Sequence, residues 1–167
     1  MKYSKKLAVV AIACLFALSV AQSASSASTD TFDITVTGEY LWIDITNATW
    51  AIGTIALSAS NYTNQTGITF IADIDNCSVN TDLSLQITTD GATWNDASAP
   101  GADEYRLNAS INAWVAENLL SEAGDATISS DVTAGQNESF DLRFDSPTSS
   151  TTGTEQSLTV TATIAKH

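Results

Sequence analysis

The sequence predicts a single all-β sandwich of Ig-like or jelly-roll kind, with about seven to ten antiparallel strands and one short crossover helix. Three observations predict it. Apolar and polar residues alternate with period two in segment after segment, those segments are rich in Thr and aliphatics, and turn signals containing Gly or Pro separate them. Strands with one apolar and one polar face are what two antiparallel sheets packed face to face require.

The chain opens on a different kind of segment. Three of its six positive charges, Lys2, Lys5 and Lys6, stand directly ahead of the uncharged apolar run Leu7–Ala21. A basic start, an apolar stretch and a small-residue end make residues 1–21 a signal peptide, with Ser19-Val20-Ala21 as the cleavage site. Cys14 lies inside the apolar run, where a lipid-modified cysteine does not belong. Residues 22–31 are Ser- and Thr-rich and read as a flexible lead-in, leaving residues 32–167 for the sandwich.

The strands follow in order. Phe32, Ile34 and Val36 alternate with Asp33, Thr35 and Thr37. The pattern recurs at Leu41, Ile43 and Ile45; at Ile68, Phe70 and Ile74; at Leu83, Leu85 and Ile87; and at Tyr105, Leu107 and Ile111. It returns at Phe140, Leu142 and Phe144, and again at Leu158, Val160 and Ile164. Tyr40 and Trp42 fall opposite Leu41 and Ile43, so that strand is apolar on both sides and reads as central or as part of an interface. Asp90-Gly91 places a tight hairpin between 85–89 and 92–94, and Ala134-Gly135 marks another turn. The helix expectation is Asn112–Ala123, where Val115 and Leu119 are four apart and Gly124 can end it.

Charge and cysteines bound the function. Beyond residue 21, Arg106, Arg143 and Lys166 stand against all nineteen carboxylates, a net charge of −16. Such a body repels phosphate backbones and excludes nucleic acid as a partner. Once the signal is removed Cys77 is the lone cysteine, so no intrachain disulfide is expected, and Cys77 reads as a small buried apolar residue. Triads, zinc sites and haem attachment need histidine or clustered cysteine, and the chain has only His167 and Cys77 to offer them. No pair of acids stands out as glycosidase carboxylates. A non-enzymatic, extracellular or cell-surface protein is expected, with no membrane span in its mature form.

The run Asp75-Asn76-Cys77-Ser78-Val79-Asn80-Thr81-Asp82-Leu83-Ser84-Leu85 places an Asn-rich turn between two strands. In this step, and in its order of signal peptide, lead-in, early strand, acidic sandwich and final strand, the chain resembles exported filament proteins of the TasA and camelysin type and related archaeal pilus subunits. The resemblance implies a structural subunit of an extracellular filament, sheath or surface layer, a homopolymer in which a strand of one protomer completes the sheet of the next. The residues able to do so are Thr31–Thr37, through Phe32, Ile34 and Val36, with Tyr40 and Trp42 at the contact, since main-chain bonds supply affinity and alternate side chains fill pockets. The same strand can equally pair within its own domain.

Other residues invite ligands. Asp73, Asp75, Asn76, Asn80 and Asp82 form the densest group of oxygen donors and are the candidate calcium ligands, with Asn95, Asp96, Asp103 and Glu104 as a second loop cluster. Solvated acidic loops are the plain alternative. Trp50, Tyr62, Trp94 and Trp114 fall near strand ends, where a secreted carbohydrate-binding or adhesion module would set stacking platforms for surface polysaccharide; the alternative is that they cap the core. Among six sequons, Asn61 and Asn64 are the best glycosylation candidates, and Asn108, within an expected strand, is a poorer one.

Overall fold

A computed structural model describes residues 33–167. The expected signal peptide, the expected lead-in and Phe32 lie outside them. The chain divides into two units, Met1–Thr37 and Gly38–His167. In the first, residues 33–37 carry no strand, and Ile34 and Val36 are 74% and 84% exposed. The described part of the expected first strand is therefore unpaired, because alternation supplies a strand's side chains but not the second strand its main chain needs.

The second unit is all-β. Its strands are β1 (Asp44–Thr46), β2 (Ser60–Tyr62), β3 (Phe70–Asp73), β4 (Thr81–Thr89), β5 (Asn95–Asp96), β6 (Glu104–Ser110), β7 (Asn118–Leu120), β8 (Ala126–Val132), β9 (Glu138–Asp145) and β10 (Thr159–Lys166), with a 3-10 turn at Thr63–Gln65. One sheet of seven strands runs β1-β3-β9-β6-β5, with β2 beside β9 and β7 beside β6. The other has three strands in the order β10-β4-β8. Every pairing is antiparallel except β5 with β6.

Period-two alternation explains the core. Leu83, Leu85 and Ile87 of β4 are at most 1% exposed and share one cluster with Phe70 and Ala72 of β3, Leu107 and Ala109 of β6, and Phe140, Leu142 and Phe144 of β9. One face of each sheet thus enters a common interior. Phe70 stacks on Phe140 at 5.4 Å, its partner in the β3–β9 register, so the cross-strand pair is also an aromatic pair. Asp145 pins β9 to β2 and β6: Ser60 donates to its Oδ1 at 2.5 Å and Arg106 pairs with its Oδ2 at 2.6 Å. Burial pushes this carboxyl up, but the Ser60 and Arg106 hydrogen bonds and the Arg143 and Arg106 charges together hold it below the usual carboxylate range.

Three expectations are corrected. The helix over Asn112–Ala123 is not formed. Ala113 and Trp114 have φ of 53° and 70°, which no right-handed helix tolerates, and the chain then enters β7 and buries Leu120. The Asp90-Gly91 hairpin is also absent, because β4 pairs with β8 and β10 and so has no edge left for residues 92–94. The two-sided strand around Tyr40 and Trp42 is regular only from Asp44, leaving Tyr40 exposed and Trp42 half-buried. The Ala134-Gly135 turn does form, with Gly135 at φ 76° and the Gln136 N–H on the Thr133 carbonyl at 3.1 Å. Among the described residues no helix is long and apolar enough to cross a membrane.

Candidate functional site

Six strands have an open side among the described residues, and their lengths and regularity separate them. β1, β2 and β7 have three residues each and β5 has two. β8 is longer, but its register against β4 shifts twice, and Asp131 sits at φ 56°, a bulge of the kind that blunts an edge. β10 is different: eight residues paired to β4 with one irregularity, at its first residue, and no strand on its other side among the described residues.

The phase of β10 follows from one bond. The His167 N–H donates to the Asn80 carbonyl at 3.0 Å, and residues of an antiparallel strand alternate between facing the partner and facing away. Thr161, Thr163 and Ala165 therefore bond β4, while Val160, Ala162 and Ile164 turn their N–H and C=O groups to the open edge. The side chains of Val160, Ala162 and Ile164 lie opposite Ile87, Leu85 and Leu83, yet they are only half-buried where those three are sealed. The apolar row of β10 is half covered and its main chain is half paired.

The end of this strand is clamped. Lys166 pairs with Glu39, and His167 Nδ1 lies 2.7 Å from Asp82 Oδ1. Asp82 is held below the usual carboxylate range by the Asp131 N–H and then by His167, whereas His167 is held above the ordinary imidazole value by Asp82. Asn80 bridges in the same place, its Nδ2 donating to Asp131 Oδ1 at 2.7 Å and its Oδ1 accepting the Ala134 N–H. Asn80 and Asp82 are thus engaged with β8 and His167. Asp73, Asp75 and Asn76 gather separately, with the Asp75 N–H on Asp73 Oδ1 at 3.4 Å and Asn76 Nδ2 on Asp75 Oδ1 at 2.8 Å. Burial and then the Asp73 charge push the Asp75 carboxyl up. Cys77 is buried beside them, its Sγ 3.2 Å from both the N and the O of Trp42, and Ser78 exchanges hydrogen bonds with Tyr40.

A carboxylate group that spacing did not suggest lies elsewhere. Asp90, Asp96 and Glu122 bring ligand oxygens within 4.8 Å of one another. They form a ring: the Asp96 N–H donates to Asp90, the Glu122 N–H to Asp96, and the Asp90 N–H to Glu122, at 3.1, 3.3 and 3.1 Å. Tyr105, fully buried, adds its hydroxyl to Asp90 at 2.5 Å. Main-chain donors account for the gathering of these acids, since each carboxylate accepts an N–H. Asp103, from the second expected cluster, instead holds the 150–151 loop through Ser150 and Thr151.

The aromatic residues divide. Trp94 stacks on Phe144 at 6.2 Å and donates to Ser150, and Trp50 packs against the core. Tyr62 and Trp114 do otherwise. Their rings meet edge to face at 5.2 Å and, with Asn64, Gln65 and Glu117, line a cavity of about 430 Å³. No family model, characterised protein or solved structure matches this chain. The cavity must be understood from its own register. Tyr62, Arg143 and Asn108 lie side by side on β2, β9 and β6, facing outward, while Asn61 falls in the inward row with Phe144 and Leu107. Asn61 Nδ2 is accordingly buried and without a partner, so a glycan there requires β2 to open; Asn64 is exposed. Loop 111–117 covers the outward row, and Asn108 is only 5% exposed beneath it.

Proposed function

We propose that this protein is the structural protomer of an extracellular filament, sheath or surface layer, its sandwich of Ig-like or jelly-roll kind, assembled by strand donation. The observation that carries the reading is the edge of β10: long, regular, unpaired among the described residues, and backed by an apolar row that is half covered. Such an edge templates pairing with another chain unless it is blunted, and β1, β2, β5, β7 and β8 are blunted by shortness or by a bulge. The donor is Thr31–Thr37. Its Ile34 and Val36 are exposed with the period-two spacing that alternate pockets along an edge accept. A net charge of −16 beyond the signal suits a surface protein whose contacts are made by main chain and apolar rows, with cations between protomers.

The experiment compares two chains, one beginning after Ala21 and one beginning at Gly38. Sedimentation and negative-stain microscopy should show polymers of the first and monomers of the second, with both giving the same β-rich circular dichroism. Equal assembly of the two sinks strand donation.

A further inference from the structure

We propose that the cavity between Tyr62 and Trp114 is a binding site for a neutral sugar residue of a glycan. This inference does not depend on how protomers assemble.

The sequence builds the site in three steps. Thr63 is fully buried and ties the 3-10 turn to β9, donating to Asp141 at 3.1 Å and accepting the Leu142 N–H at 2.9 Å; Asn64 and Gln65 are thereby fixed beside Tyr62. Ser110 and Asn112 then shape the opposite wall. Ser110 Oγ accepts the Trp114 N–H at 3.0 Å and Asn112 Oδ1 accepts the Ala116 N–H at 2.9 Å, holding Ala113 and Trp114 in the left-handed region. Two successive residues there are strained, and such a backbone persists only where its surroundings over-determine it. What the strain secures is the position of the Trp114 ring against Tyr62.

Polar groups complete the chemistry. Glu117 lines the cavity with both oxygens engaged, one by Arg143 and one by Asn108 Nδ2 at 2.6 Å. Its charge is neutralised, which disfavours a cationic guest. Aromatic rings at Tyr62 and Trp114, amides at Asn64 and Gln65 and a neutralised Glu117, in a cleft within the usual ligand range, suit a ligand with apolar C–H faces and a rim of hydroxyls.

The test uses the chain beginning after Ala21, mass-checked for an unmodified Asn64. The probes are glucose, galactose, mannose and N-acetylglucosamine, with glucuronate and choline as charged counterparts, read by saturation-transfer NMR and tryptophan fluorescence. At least one neutral sugar should bind. Trp114→Gly, which keeps the left-handed backbone while deleting the ring, should weaken it about tenfold or more. The double variant Asn64→Ala, Gln65→Ala, at exposed positions, should weaken it without lowering the melting temperature. Binding of choline or glucuronate alone, no binding at all, or binding that survives both variants overturns the proposal.

Discussion

The His167 main-chain N–H lies 3.0 Å from the Asn80 carbonyl, and that bond decides which groups of β10 a neighbour can reach. It points the Val160, Ala162 and Ile164 N–H groups outward. Ala162→Pro therefore removes a donor from the open edge without breaking the β4 ladder, a position where proline is tolerated. The variant should stay folded, within about 1 kcal/mol of the parent, and should not polymerise. Thr161→Pro, which removes a donor to β4, should be the more destabilised of the two. Chemical denaturation and sedimentation of both variants check the pair, and polymerisation of Ala162→Pro would refute the edge assignment.

Burial makes a second contrast. Leu85 is sealed and Ile164 is half-buried on the same sheet face. Leu85→Ala should cost about 2–5 kcal/mol, and Ile164→Ala should cost less in the monomer. Under the proposed assembly, a donated strand would cover Ile164. Its truncation should then cost more, seen as a larger drop in the dissociation temperature of the polymer than in the monomer melt.

Much of this fold was legible because alternation survives in its long strands: β4, β6, β9 and β10 each show it. β8 was not legible, since the left-handed Asp131 puts two polar residues between Ser129 and Val132 and breaks the period. The hairpin at Asp90-Gly91 misled because the Asp90 side chain is spent on the Asp96 N–H and Tyr105, and the edge a hairpin would use is taken by β10, some seventy residues later. Such long-range pairing leaves no local signal. Of the candidate sites, Tyr62 and Trp114 were legible as aromatics near strand ends. Their juxtaposition was not, because it depends on the β2–β9–β6 register and on strain at Ala113 and Trp114.

The clamp on β10 depends on pH. His167 is raised above its ordinary 6.5 by Asp82, so its contribution is complete below that value and is lost as pH rises through the elevated one. Asp82 is lowered, so its contribution is present above the unfolded carboxylate range and is lost as pH falls through the depressed value. The clamp is therefore tightest in mildly acidic solution. An NMR titration should place the imidazole above 6.5, and Asp82→Asn should bring it back down. A value at or below 6.5 in the parent chain counts against the pair.

The carboxylate ring offers the last contrast. Burial, followed by the hydrogen bond to Asp90, pushes the Tyr105 hydroxyl well above its ordinary range, so it remains a donor at any pH at which the protein is studied. Asp90→Ala strands that buried hydroxyl and the Asp96 N–H together, and should cost about 2–3 kcal/mol. Tyr105→Phe deletes the donor and leaves a carboxylate still bound by the Asp96 N–H, and should cost about 1 kcal/mol. If the ring is held by these donors, the double variant should be less destabilised than the sum of the two. If calcium holds it instead, adding calcium should raise the melting temperature of the parent and not of Asp90→Ala, following RT ln(1 + [L]/Kd). Calcium-independent melts with a non-additive cycle assign the cluster to hydrogen bonding, because removing either partner already forfeits the contact that the second substitution would remove.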